Sequence, residues 1–344
     1  MQSVKSCFNR TLFGKNITRF WPIWALYGAV WVLLFPTVIF SCDQWTPELA
    51  QELPLELLPF GGLVMAAGFG VLCAMAVFSY LYNIRAVGML HALPLRRVDL
   101  FCTNFLSGLA FMILPNLAVF LLSLLAELLC GAVDIGSLCM WLVVQCLLCF
   151  FFYAFAVFCA MFTGHILALP AFYGILNILA SGLVLLFQHL AQEFIFGFVG
   201  LNRLEETALL FTPLLKLAST MRVRYLEERG AAFYGLHLVL LYASVGVIFT
   251  ILALVVYEKR HLETAGEVVT VPWVKPVFKY GVAFCAAITF GTFLYRITGL
   301  PQGPWTLLIL LLLCGCAGYY AAEMLLRQSF RVIRDGWTGC AAVV

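Results

Sequence analysis

The sequence has little charge. Aspartate, glutamate, lysine and arginine make up 11% of its 344 residues, whereas about 25% is typical of a soluble domain. Hydrophobic residues make up 64%, and a helix needs about 20 mainly apolar residues to cross the hydrocarbon core of a membrane. Because that core holds no water, each span must satisfy its own backbone amides. The composition excludes an ordinary soluble domain and predicts an all-α, polytopic membrane protein.

The motifs of common catalytic sites are also lacking. No stretch matches GxxxxGK[ST], the loop that holds ATP phosphates, and none matches HExxH or GxSxG. Among the 13 cysteines, Cys146 and Cys149 form a CxxC, but no second pair completes a zinc-type set, so we interpret the cysteines as packing residues. We therefore expect no catalytic residue, metal site or cofactor on this chain, which we do not expect to be an enzyme.

Eight apolar runs are long enough to be predicted as membrane spans. They cover 21–40, 60–82, 100–129, 138–162, 166–189, 232–257, 278–296 and 304–322. The first twenty residues contain no acid and no short apolar core before a cleavage site, so we expect a retained start rather than a secretory signal. Phe13 and Ile17 fall opposite Lys15 and Arg19 on a helix, which predicts an interfacial N-terminal helix; a solvated basic tail is the alternative.

The basic residues predict the orientation, because lysine and arginine favour cytoplasmic loops. With the N-terminus inside, fourteen of the 20 lysines and arginines lie in inner segments. The first outer loop contains four acids and no base. We therefore predict a multi-pass protein of the cell membrane with a cytoplasmic N-terminus.

Few ionisable side chains occur within the predicted spans, although ion-coupled transporters usually need them. Glu127 is the one carboxylate expected inside a span, and its place near the outer end is compatible with an interfacial position. Other polar side chains could join helices or line a path: Asn104, Asn116, Gln145, Asn177 and Ser181. Small residues at four-residue spacing predict close helix packing, at Gly62, Ala66 and Gly70 and again at Gly318 and Ala322.

A base-bearing connection, MLHALPLRRVDLF, links the second and third predicted spans. Asn83 can end the second span, and residues 84–93 can form a short helix before Pro94, because a proline disfavours helical geometry at the residue before it. The apolar side chains of Val87, Leu90 and Leu93 then need cover. The residues alone leave two possibilities, the membrane surface or a partner protein.

The sequence resembles the type-2 ABC exporter permeases of Gram-positive bacteria. Four segments carry the resemblance: FGKNITRFWPIWALY, MLHALPLRRVDLFCTNFLSG, YEKRHLETAGEVVTVPWVKPVFKYG and EMLLRQSFRVIRDGW. The resemblance implies a six-span core, short outer helices between the fifth and sixth spans, and a coupling helix that docks on a separate ATPase. The seventh and eighth predicted spans of this chain are additional to that six-span core. The residues that would contact the ATPase are Met89, Leu90, His91, Leu93, Pro94, Arg96 and Arg97.

The predicted spans and the resemblance together give a domain plan. It consists of an N-terminal helix (1–20), a core (21–257) with a coupling loop (83–99) and an extracellular segment (190–231), a cytoplasmic loop (258–277), two additional spans (278–322) and a cytoplasmic tail (323–344) whose final WTGCAAVV resembles the beginning of another span.

The implied function is that of a permease subunit exporting a lipid, peptide or drug-like substrate. ATP and Mg would bind the partner ATPase, and the other expected partners are a second permease chain or permease half and membrane lipids, with no nucleic acid. Two other functions stay open, an ion-coupled secondary transporter and a membrane-embedded lipid-modifying enzyme. Both require a charged or nucleophilic centre.

Overall fold

The computed structural model describes residues 8–42, 44–91, 96–198, 200, 202–226, 230–259, 274–298, 303–327 and 340. Within these residues, eight helical segments are long and apolar enough to cross a membrane. The predicted fold class is therefore confirmed: the chain is an all-α, polytopic helical bundle.

The eight segments contain most of the helices. In chain order they are α2 (Trp21–Leu34) with α3 (Pro36–Ser41), α4 (Pro47–Glu56) with α5 (Leu63–Val77), α7 (Arg97–Cys130), α8 (Ile135–Phe162), α9 (Ala168–Phe194), α12 (Leu236–Lys259), α13 (Val274–Ala286) with α14 (Thr292–Ile297), and α15 (Pro304–Arg327). The remaining elements are short: α1 (Arg10–Arg19), α6 (Ile84–His91), α10 (Asn202–Leu210), α11 (Pro213–Thr220) and the strands β1 (Arg222–Leu226) and β2 (Gly230–Tyr234).

The second segment starts earlier than predicted, at Pro47 rather than near residue 60. The Thr46 hydroxyl accepts a hydrogen bond from the Leu49 amide at 3.3 Å, and Pro47 occupies the first helical position, so the sequence supplies both an N-cap and a favoured first residue. A π-helical turn, Leu58–Gly62, joins α4 to α5. Much of the expected outer loop is therefore helical.

The connection between the fifth and sixth segments contains the expected short helices, α10 and α11. It also contains a β-hairpin that the sequence analysis missed. β1 and β2 pair antiparallel, with Arg222 opposite Tyr234 and Leu226 opposite Gly230. Gly230 has a φ of +69°, a conformation that side chains with a Cβ disfavour, which is why a glycine stands at the start of β2.

The chain divides into two compact units, and the first comprises residues 1–161 and 217–265. In this unit α7 packs against α1, α2, α3, α5 and α12. Gly70 on α5 lets the backbones of α5 and α8 approach closely, since a Cβ built at Gly70 would lie 3.1 Å from the Phe152 carbonyl carbon. This contact agrees with the close packing that the glycine spacing predicts.

The second unit comprises residues 162–216 and 266–344. Its main packing is between α13 and α15, with α9 against α13. A Cβ built at Gly318 would lie 3.1 Å from the Ala283 Cα, so the small residue allows α15 to approach α13. The hydroxyls of Ser181 and Thr212 are 2.7 Å apart and join α9 to the residue before α11.

Candidate coupling site

The predicted short helix between the second and third spans is present as α6. A 3-10 turn, Ser79–Tyr82, ends the second segment, and Asn83 follows it in an extended conformation. The Asn83 side-chain oxygen accepts a hydrogen bond from the Arg85 amide at 3.0 Å, which caps α6 at its start. A turn residue and a cap at one position therefore separate α6 from the span before it.

The seven predicted contact residues fall into three groups. Met89 lies on α6 and is 69% exposed, and Arg96 is an exposed residue directly before α7. Leu90 and His91 belong to α6, but their side chains lie outside the described residues, as do Leu93 and Pro94 altogether. The seventh, Arg97, begins α7.

Arg97 has an intramolecular contact that the sequence did not predict. Its guanidinium donates a hydrogen bond of 2.9 Å to the backbone carbonyl of Glu258, in the last turn of α12. The last carbonyls of a helix have no partner within the helix, and a cation there also complements the helix dipole. Arg97 thus ties the start of α7 to the end of α12.

Four aromatic residues form a buried group beside α6, which we call the aromatic cluster: Phe78, Tyr80, Phe101 and Tyr257. The ring centroids of Phe78 and Phe101 are 5.7 Å apart, those of Phe101 and Tyr257 5.5 Å. The Tyr80 hydroxyl donates to the Tyr257 hydroxyl at 3.0 Å. Each member is at most 7% exposed. The cluster therefore joins three spans, through the end of α5, the start of α7 and the end of α12.

The N-terminal helix α1 reaches the same end of α7. The Asn9 side chain caps α1, and its backbone amide donates to the Thr103 hydroxyl at 3.0 Å. Asn16 is buried, and its amide nitrogen donates to Asn104 at 2.9 Å and to Ser107 at 3.2 Å. Asn104 thus joins two helices, one of the two roles that the sequence left open.

A second buried group, the polar cluster, lies farther along the bundle and consists of Tyr27, Asn116, Gln145 and Cys149. The Tyr27 hydroxyl donates to the Asn116 side-chain oxygen at 2.8 Å, and the Gln145 amide nitrogen contacts the Tyr27 oxygen at 3.2 Å. The same nitrogen donates to the backbone carbonyl of Gly62 at 3.3 Å, in the π-helical turn of the second segment. Four spans therefore share one hydrogen-bonded group.

Both cysteines of the CxxC, Cys146 and Cys149, contact side chains of the polar cluster. The Cys149 sulfur is 3.3 Å from the Tyr27 hydroxyl, and the Asn116 amide donates to the sulfurs of Cys146 and Cys149 at 3.9 and 3.8 Å. Both thiols are thus weak partners in a buried hydrogen-bond network. Among the described residues, no three histidine, cysteine or acidic side chains gather as metal ligands.

Glu127, the predicted intramembrane carboxylate, is completely buried near the end of α7. One carboxylate oxygen accepts a hydrogen bond from the Asp134 amide at 3.1 Å, across the turn to α8. The other oxygen has no hydrogen-bond partner among the described residues. Gly131, with a φ of +88°, ends α7 in the left-handed conformation typical of a helix C-terminus. Glu127 therefore fixes the α7–α8 connection.

An ion pair in the second unit was missed by the sequence analysis. The Lys279 ammonium is 2.6 Å from the Glu323 carboxylate and 3.4 Å from the Tyr319 hydroxyl. The predicted last span ended at residue 322, whereas α15 continues to Arg327 and includes Glu323. The pair joins α13 to α15, and its side chains are 21% and 5% exposed.

No match to this chain was found among protein-family profiles, curated proteins or solved structures.

Proposed function

We propose that this chain is the membrane permease subunit of an ABC transporter and that α6 is the helix through which a separate ATPase subunit moves it. The observation that carries the proposal is the position of α6, a short helix between two spans whose flanking residues enter one buried aromatic cluster. The exposed Met89 provides an apolar contact on α6, and the exposed Arg96 adds a positive charge nearby.

The packing around α6 suits the transmission of a movement. Tyr80 and Phe101, on the two sides of the α6 connection, both contact Tyr257 on α12. Tightly packed aromatic groups deform little, and each well-placed ring pair contributes about 0.5–1.5 kcal/mol beyond the area that it buries. A displacement of α6 is therefore passed to three spans together. An ATPase that binds α6 differently in its two nucleotide states would shift the permease between two conformations.

The charge distribution supports a cytoplasmic position for α6 and the N-terminus in the cell membrane. The contacts Asn9–Thr103 and Arg97–Glu258 bring α1, the start of α7 and the end of α12 to one end of the first unit. This end bears the basic residues of α1 and of the α6 connection. At the other end, the acidic α4 packs against the hairpin. Basic residues favour the cytoplasmic side of a membrane.

The proposal is tested by purifying the tagged full-length chain from its native membrane. We expect an ATP-hydrolysing subunit with a GxxxxGK[ST] loop to copurify, as identified by mass spectrometry. Met89→Asp places a charge in the proposed apolar contact, and binding of the ATPase would have to remove water from that charge at a cost in free energy. The variant is therefore expected to reduce the recovered ATPase at least about tenfold, which corresponds to roughly 1.4 kcal/mol.

Val133→Asp is the matched control. Val133 is also an exposed apolar residue in a connection, but it lies beyond the opposite end of α7. The control variant is expected to retain the ATPase. Recovery of a folded chain without any ATP-hydrolysing subunit contradicts the proposed class of protein, and equal ATPase recovery with both variants contradicts the assignment of α6.

One observation favours a second candidate, an ion-coupled secondary transporter. A buried carboxylate inside a span, such as that of Glu127, is a common ion- or proton-binding group. Glu127→Gln retains an acceptor for the Asp134 amide but removes the titratable group. The ABC permease is expected to keep its ATP-dependent transport in reconstituted vesicles, whereas an ion-coupled transporter loses transport and shows no need of ATP.

A further inference from the structure

An apolar groove of about 410 Å³ lies on the surface of the first unit between α2 and α7. Small residues, including Gly28, Ala29 and Ala118, line its floor and sides. Leu114 borders it and is 54% exposed, so the groove is open at the surface of the bundle. It extends from Trp24 to Val32, a rise of about 12 Å along the helix. One leaflet of a bilayer has a hydrocarbon thickness of about 15 Å.

Helix α1, which carries exposed basic residues, borders one end of the groove. Ile17 of α1 closes this end, where the Trp24 indole nitrogen donates to the Ile17 carbonyl at 3.1 Å. The Arg19 guanidinium carbon lies 5.2 Å from the centre of the Phe20 ring, which is itself 6.2 Å from the ring of Phe111 in the groove wall. Tryptophan and arginine both favour the level of the lipid headgroups. The exposed Arg19 is therefore connected through Phe20 to the wall of a groove that is large enough for an acyl chain.

We propose that this groove binds an anionic phospholipid, with an acyl chain between α2 and α7 and the phosphate near Arg19. The charge at the mouth selects an anionic headgroup over a zwitterionic one, and the small residues of the groove let a chain approach the two helices closely. The bound lipid fills the space beside Pro115, which also borders the groove, and so supports α7 at its proline. This site does not depend on the proposed transport function.

The test uses the full-length chain in nanodiscs that contain phosphatidylglycerol and phosphatidylcholine with identical acyl chains. Native mass spectrometry of the released protein is expected to show retained phosphatidylglycerol. Arg19→Ala is expected to reduce that retention about fivefold, the loss typical of one basic contact to an anionic membrane surface, and Arg19→Lys should keep most of it. Arg10→Ala, an exposed arginine at the other end of α1, is the control.

The acyl-chain position is tested separately by Ala118→Leu, which fills the groove from an exposed position. Its control is Gly68→Leu on α5, where no atom lies within 4 Å of an added Cβ. Ala118→Leu is expected to lower lipid retention and Gly68→Leu to leave it unchanged. Equal retention by these two variants overturns the groove assignment. Equal retention of both lipids by the unmodified chain, or equal loss with Arg19→Ala and Arg10→Ala, overturns the headgroup assignment.

Discussion

Two glycines on α5 provide a test of the helix packing that holds the first unit together. Gly70 faces α8, where an added Cβ would lie 3.1 Å from the backbone carbon of Phe152 and 3.1 Å from the backbone nitrogen of Tyr153. Gly68, two residues earlier, has nothing within 4 Å of the same position. The substitutions Gly70→Ala and Gly68→Ala therefore add the same methyl group to the same helix, once against another backbone and once in open space.

The free energy of unfolding is expected to rise with Gly68→Ala and to stay level or fall with Gly70→Ala. Replacing a helical glycine with alanine gains up to about 1 kcal/mol from backbone conformational entropy. At Gly68 this gain is unopposed. At Gly70 the methyl carbon would be closer than the usual 3.5–4.0 Å between nonbonded carbons, and a backbone cannot rotate away as a side chain can. Overpacking costs about 1–3 kcal/mol, so Gly70→Ala should be destabilised relative to Gly68→Ala by about that amount.

The measurement is unfolding in mixed micelles, with increasing fractions of denaturing detergent, followed by circular dichroism. Gly70→Leu and Gly68→Leu extend the comparison, since a larger side chain at Gly70 must separate α5 from α8. Equal unfolding midpoints for Gly70→Leu and Gly68→Leu would refute the close packing of these helices.

Three further predictions concern other contacts. Lys279→Met should destabilise the second unit by about 3–5 kcal/mol, because it leaves the buried Glu323 carboxylate without its cation, and the double variant Lys279→Met/Glu323→Met should recover much of this loss. The unfolding midpoints of the native chain, the two single variants and the double variant measure the effect. The hydrogen bond to Glu56 raises the pKa of the exposed Tyr225 hydroxyl above its ordinary value of 10.0. The stabilisation from this hydrogen bond should therefore be present at neutral pH and be lost as the pH rises through the raised pKa, so the difference in melting temperature between the native chain and Tyr225→Phe should shrink above pH 10. Asn16→Ala removes two hydrogen bonds between α1 and α7, so proteolysis within α1 should accelerate by roughly tenfold, equivalent to about 1.4 kcal/mol, and an unchanged rate would contradict this attachment.

The membrane spans could be predicted because their signal is local. A run of about 20 apolar residues has few alternatives to a membrane helix, so composition and length sufficed for eight segments. The early start of the second segment was missed because α4 contains Glu48, Glu52 and Glu56, which lower its apolar character although Thr46 and Pro47 supply the start signals. The hairpin was missed because the RVRYL of β1 is short and includes two arginines.

The candidate site could be predicted only in part. Asn83 and Pro94 mark a short helix in the sequence, and α6 is present. The aromatic cluster could not be found in this way, because Tyr80 and Tyr257 are 177 residues apart and their contact depends on how three spans pack. Aromatic residues at the ends of three apolar runs, such as Tyr257 before the EKR of YEKR, were the available signal. The ATPase contact itself stays a prediction.

Helix α7 connects the aromatic cluster with the polar cluster. Its start holds Phe101 of the aromatic cluster, and Asn116 of the polar cluster follows Pro115 in its interior. A proline frees the carbonyl of the residue four positions earlier and weakens the helix there, and a π-helical turn such as Leu58–Gly62 is a similar irregularity. Gln145 hydrogen-bonds to the Gly62 carbonyl and to Tyr27, and Tyr27 hydrogen-bonds to Asn116. The π-helical turn and the proline of α7 therefore both lie next to the polar cluster. A displacement at the start of α7 would therefore bend the helix at Pro115, where the polar cluster and the proposed lipid both make contact.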